Sequence, residues 1–181
     1  MIELETLDVC DVTKNDVLIV VDVQNDFCAG GALAVPNADD VIDPINRIAP
    51  LFDHVILTKD WHPADHRSFA SQHPGRKPFD RLDDNPGITT LWPDHCVQGT
   101  RGAKLHPRLH VPNAKAVILK GTDPLVDSYS AYRDLLGNPT GLAGLIRDIL
   151  FETWSRTVYV AGLATDFCVA DTACHASERV S

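Results

Sequence analysis

Four apolar runs in this chain end in, or lead into, residues that can do chemistry. Residues 17–22 (VLIVVD) end in Asp22, residues 54–60 (HVILTKD) in Asp60 and residues 116–120 (AVILK) in Lys120. The fourth run, residues 157–163 (TVYVAGL), passes through Ala164, Thr165, Asp166 and Phe167 to Cys168. A carboxylate beside a thiol can act as its general base, and an ammonium can hold the ionised forms or stabilise developing negative charge. Cys168 falls at the expected start of a helix. There, exposed N–H groups and the helix dipole lower a thiol pKa and can cradle an oxyanion. Each residue also has a plainer reading. Asp22 could cap the following QNDF turn, although Asp26 suits that role better. Lys120 could be a solvated strand-end lysine. Cys168 could be a small buried apolar residue, as Cys10, Cys28, Cys96 and Cys174 are read to be.

The segment KDWHPADH carries a second kind of chemistry. Asp60 and His62 are two positions apart, so on an extended backbone they point to the same side. His95, in LWPDHC, can complete a set of one carboxylate and two imidazoles, which suits Zn, Fe or Mn with positions left open. His66 and His73 are further candidates. The chain has 8 histidines, and loop histidines are often merely solvated. Phe27, Trp92 and Tyr129 follow these segments and could sandwich a flat ring, or simply anchor loops by packing.

The elements that must position these groups can also be read. Unbroken apolar runs suit strands buried on both faces. Helical spacing covers residues 39–52, with Pro44 in the first turns where proline is tolerated, and residues 141–153. A third helix runs from a cap at Thr165 or Asp166 toward Ser177. Alternating strands and helices predict a doubly wound, three-layer (α/β/α) domain with a mostly parallel sheet, spanning residues 1–181. In such sheets ligands bind beyond the carboxyl ends of the strands, where Asp22, Asp60, Lys120 and Cys168 all fall. Residues 61–113, rich in Pro, Gly, His and Asp, form a long connection of the kind usually reserved for function. The formal charge of -9 argues against a nucleic-acid footprint and against anionic membranes. No run approaches the roughly 20 apolar residues of a membrane span. The start of the chain does not read as a secretory signal. An odd count of 5 cysteines, with no CxxC pair, points to free thiols in the reducing cytoplasm.

Five segments, VDVQNDFCAGGALAV, TKDWHPADHRSFASQH, LWPDHCVQGTRGAKLHP, KGTDPLVDSYSAY and GLATDFCV, resemble the nicotinamidase and pyrazinamidase branch of the isochorismatase-like cysteine hydrolases. They stand in family order. The resemblance implies an amidohydrolase of NAD salvage, acting on the linear carboxamide of nicotinamide and also on pyrazinamide. It implies an Asp22, Lys120, Cys168 triad and one divalent metal ion, most often Zn, on Asp60, His62 and His95. It further implies a cis peptide at Leu163–Ala164, an oxyanion site at the amides of Ala164 and Cys168, and a ring pocket of Phe27, Leu33, Trp92 and Tyr129. Some relatives use a further histidine on the metal. His66 stands at a different spacing and is not assigned that role.

The resemblance also raises an expectation about the C-terminus. Relatives continue for one or two strand–helix units beyond the cysteine helix, whereas this chain ends at CVADTACHASERVS. A truncated or partial product, with an exposed outer edge on its fourth strand, is therefore expected. A homo-oligomer through other surfaces stays open. The alternatives are a sister hydrolase of small amides or carbamoyl groups, and an inactive remnant serving as a metal-binding or interaction module.

Overall fold

The computed structural model describes residues 12–154 and 157–180; Cys10 lies outside them. Four strands form one parallel sheet in the order β3-β2-β1-β4: β1 (Val17–Val21), β2 (His54–Asp60), β3 (Ala114–Lys120) and β4 (Val158–Gly162). Successive side chains of a strand point to opposite faces. Leu18, Val20, Val55 and Leu57 therefore pack on α1 (Ile42–Ile48) in one apolar cluster. Val17, Ile19, Val21 and Ile56 pack in a second cluster with α2 (Leu142–Thr153) and α3 (Ala170–Val180). All five residues of β1 are buried, as its unbroken apolar run predicts for a central strand covered on both faces. The result is the expected three-layer, doubly wound fold.

The connections from β1 to β2 and β3 step one way across the sheet, while β4 lies on the other side of β1. The strand order thus reverses between β1 and β4, and the crevice of a doubly wound sheet opens at such a point. Asp22 leaves β1 there, and Cys168 follows β4. Among the described residues β4 pairs only with β1, so its outer side is an edge.

Two expected elements differ. The helix over residues 39–52 is a composite: a 3-10 turn (Ala38–Val41), α1, and a second 3-10 turn (Ala49–Leu51). Pro44 and Pro50 carry no N–H for an α-helical bond, which limits the regular helix to seven residues. The third helix is not capped by Thr165 or Asp166. Ala164, in an extended conformation, precedes a π-turn over Thr165–Val169, and only then does α3 begin. The long connection after β2 is ordered without regular secondary structure beyond one 3-10 turn, Ala70–Gln72. It has its own small core of Ala70, Ile88 and Leu91, and it is tied down by single bridges such as His62 with Val97 and Phe69 with Trp92. No helix among the described residues is long and apolar enough to cross a membrane.

Candidate active site

At the carboxyl end of the sheet the three strand-terminal residues converge on one point. The Lys120 Nζ lies 2.9 Å from Asp22 Oδ2 and 3.3 Å from Cys168 Sγ, donates to the Ser128 carbonyl at 3.0 Å, and pairs closely with Asp60 Oδ1. Asp22, Asp60, Lys120 and Cys168 are all buried. The oxygens of Asp22 and Asp60 and the sulfur of Cys168 lie within 4.8 Å of one another. Asp22 is held in the left-handed region, at φ 49, where non-glycine residues are uncommon. Its amide donates to Thr58 Oγ1 (3.2 Å), and the Thr58 hydroxyl donates back to Asp22 Oδ1 at 2.6 Å. That leaves Oδ2 for the lysine.

Burial and charge set the protonation of this cluster. Burial works against the Lys120 ammonium, but Asp22 and Asp60 outweigh it, and its pKa lies well above the usual lysine range. Burial pushes the Asp22 carboxyl up, against the pull of Lys120 and with a further push from Asp60. Asp60 is the opposite case, because Lys120 and His62 overcome burial and hold it well below the usual carboxylate range. The Cys168 thiol is pushed well up by burial, which Lys120 only partly offsets. This corrects the expectation of a thiol acidified by a helix start. Desolvation of the anion wins, and the resting group is a thiol that needs a base. Cys28, raised to about 11 by burial and Asp39, and Cys96, also raised by burial, are thiols too, while Cys174 is free and exposed.

The carboxylate and imidazole set also assembles. Asp60 Oδ2 stands 3.6 Å from His62 Nε2 and 3.8 Å from His95 Nε2, and ligand atoms of all three lie within 4.8 Å of one another. The Nδ1 atom of His62 meets the Gly121 carbonyl at 2.9 Å, and that of His95 meets the Pro93 carbonyl at 2.7 Å. A carbonyl can only accept, so each Nδ1 carries a proton and each Nε2 is the ring nitrogen turned toward Asp60. This is the tautomer a metal-bound histidine needs. The donor set therefore fits a divalent ion of the Zn, Fe or Mn kind. His62 is raised despite burial because Asp60 attracts a proton to it. A cation in this place would supply that positive charge instead.

His66 and His73 do not join the set. His66 Nδ1 accepts from the Ser68 amide (3.2 Å), so its Nε2 proton points at the Val126 carbonyl (3.3 Å), and burial lowers its pKa to about 4. The His73 Nε2 meets the Arg67 carbonyl at 2.7 Å.

Gly121 shows why the sequence runs Lys-Gly here. Its φ is +62, and a Cβ would stand 2.4 Å from the His62 ring. Gly121→Ala should therefore displace His62 and weaken metal retention. The check is metal content after dialysis, and a variant that retains metal as the wild type does would contradict this packing argument.

A cavity of about 250 Å³ opens above the cluster. Phe27, Leu33, Trp92, Tyr129, Ala164 and Cys168 line it, together with Asp60 and His95. The Trp92 Nε1 donates to the Tyr129 hydroxyl (3.3 Å), and burial raises the Tyr129 pKa to about 12. Phe167 packs edge-on to Trp92, with ring centroids 5.2 Å apart, and Phe79, which also lines the cavity, meets Trp92 at 5.9 Å. The Leu163–Ala164 peptide is cis.

Against known proteins, the isochorismatase domain model matches residues 16–179. The chain belongs to the isochorismatase family. A nicotinamidase of Acinetobacter baylyi is 50% identical over 166 residues, which cover 91% of this chain and 76% of that protein. Among solved structures, an Acinetobacter baumanii nicotinamidase and pyrazinamidase superposes with a TM-score of 0.85 at 48% identity, covering 92% of this chain and 79% of the other. The pyrazinamidase of Pyrococcus horikoshii, solved in complex with zinc, superposes with a TM-score of 0.70 at 34% identity, covering 91% and 79%.

Several contributors to the site in this isochorismatase-family chain carry no signal in the sequence pattern. Gln24 donates to the carbonyls of Asp60 (2.8 Å) and Ala103 (3.0 Å) and accepts from the Asp60 amide at 2.8 Å, fixing the end of β2 against the exit of β1. Asp26 accepts from the Cys96 amide at 2.7 Å, which anchors the His95 loop, and from the Ala32 amide at 3.3 Å, which holds its own turn. Thr58, Phe79, Phe167 and Asp127 are further contributors that the motifs do not single out. The period-2 pattern marks Thr58 as strand but carries no sign of its partner 36 residues away.

Proposed function

We propose that this chain is a nicotinamidase. Within one hydrolase domain it cleaves the carboxamide of nicotinamide, and of pyrazinamide, to the acid and ammonia, in NAD salvage in the cytoplasm. The observation that carries this reading is the buried ammonium of Lys120 touching Asp22, Asp60 and Cys168, of which Asp60 and Cys168 line an aromatic-walled cavity. The names of the relatives point to the same substrate.

The catalytic roles follow from the protonation states. Asp22 takes the proton of the Cys168 thiol while Lys120 stabilises the thiolate, and the sulfur attacks the carboxamide carbon. The amides of Ala164 and Cys168 face the oxygen of the tetrahedral intermediate. Asp22 returns the proton to the nitrogen, the C–N bond breaks and ammonia leaves an acyl thioester on Cys168. Asp22 then takes a proton from water, which attacks the thioester carbon and releases the carboxylate and the thiol. Phe27, Leu33, Trp92 and Tyr129 clamp the flat ring so that its carboxamide meets the sulfur. Asp60, His62 and His95 hold one divalent ion, zinc first among the candidates, which when bound supplies a Lewis acid for the ring nitrogen and so orients the substrate.

A pH dependence follows. Below its raised pKa Asp22 already holds a proton and cannot accept the thiol's. The kcat/KM should therefore fall as pH drops through a value above the ordinary carboxyl value of 3.8. An acid limb at or below that value would contradict Asp22 as the base. The direct test of the substrate is ammonia release from nicotinamide by the purified, zinc-loaded chain. Release in step with nicotinate is expected. None from a folded, metal-loaded chain would overturn the reading.

A further inference from the structure

Asp127 is buried, lines the same cavity, and has no part in the chemistry above. Its backbone is pinned on both sides, since its amide donates to the Gly87 carbonyl (2.7 Å) and its carbonyl accepts from the Leu135 amide (2.9 Å). One carboxylate oxygen, Oδ1, accepts from the Ser128 amide at 2.8 Å. The other, Oδ2, is buried without a donor. A buried carboxylate oxygen without a partner is costly, so something that enters the cavity should supply the missing proton.

The neighbours cannot supply it. An Asp127 oxygen lies within 4.8 Å of ring nitrogens of His62 and His66. The proton of His62 goes to the Gly121 carbonyl and that of His66 to the Val126 carbonyl, so both rings are committed elsewhere. The buried charges point to the missing partner. Asp22, Asp60 and Asp127 are three carboxylates against the one ammonium of Lys120. With neutral histidines that leaves two negative charges, which a divalent ion beside His62 would cancel.

We infer that Asp127 is an outer partner of the metal ion. Its free oxygen accepts a hydrogen bond from water in the ion's hydration shell, and its charge completes the neutrality of the buried cluster. The inference rests on the metal set proposed above and adds a positioning residue to it. Outer-shell partners of this kind set metal affinity as well as ligand orientation.

The test is a zinc titration of the metal-free, full-length chain in competition with a chromophoric chelator, beside Asp127→Asn and Asp60→Ala. Asp127→Asn should bind zinc about 10- to 100-fold more weakly than the wild type. Its metal-free form should melt no lower than the metal-free wild type, because an unpaired buried charge has been removed, and zinc should raise its melting temperature less. A merely structural aspartate would show the reverse, a less stable metal-free form with unchanged zinc affinity, and that result overturns the inference. If Asp127→Asn does not fold, Asp127→Ser is titrated in its place under the same expectation. A wild type that takes up no zinc removes the metal reading and this inference together. Zinc binding that Asp60→Ala loses and Asp127→Asn keeps removes only the inference.

Discussion

Cys168→Ala should release no measurable ammonia from nicotinamide while remaining folded and metal-loaded. The substitution deletes the attacking sulfur and leaves Lys120, Asp22 and the ring pocket in place. Loss of a nucleophile that works as a unit with its base costs roughly 10⁴- to 10⁶-fold in kcat. Zinc retention should be unaffected, because Cys168 is outside the Asp60, His62, His95 set. Substrate should still bind, so nicotinamide should protect the variant against heat as it does the wild type. A Cys168→Ala variant that keeps even a few per cent of wild-type turnover would rule out the covalent route.

Lys120→Met should damage both stability and turnover, and the two can be separated. The methionine fills similar volume without the ammonium. Asp22 and Asp60 then face each other across a buried site with no cation between them. Removing one partner of a buried charge cluster destabilises by about 3–5 kcal/mol, and for a chain of this size each kcal/mol lowers the melting temperature by about 2–4 °C. Turnover should fall by about 10³-fold or more, because the thiolate and the base lose their shared electrostatic support. A structural lysine would lower the melting temperature and leave the kcat of the surviving folded fraction intact. The two roles are told apart by measuring kcat below the melting range.

The framework of the site is legible in the sequence because it is local. Unbroken apolar runs mark buried strands, and the residue that closes such a run must lie at the sheet's carboxyl edge. Strand ends alone therefore locate Asp22, Asp60 and Lys120. The spacing of Asp60 and His62 likewise gives a shared face on extended backbone. What stays illegible depends on contacts between distant segments. Asp127 sits in an irregular loop after β3, and its significance lies in an oxygen that receives no donor. Gln24 reads as an ordinary turn residue, yet it bridges β1 and β2. The state of the Cys168 thiol is hidden for a related reason. Sequence reveals that it lies near a helix start, but not that burial at the foot of β4 outweighs the dipole. The break of the 39–52 helix is in principle readable, since Pro44 and Pro50 both lie inside it.

The acyl thioester at Cys168 is the central claim. Acid quench of the zinc-loaded chain during turnover of nicotinamide, followed by mass spectrometry of the Cys168 peptide, reads it directly. A nicotinoyl adduct should appear on that cysteine before steady state and decay as substrate runs out. Nicotinate accumulating at full rate with Cys168 never modified at any quench time would contradict the covalent mechanism.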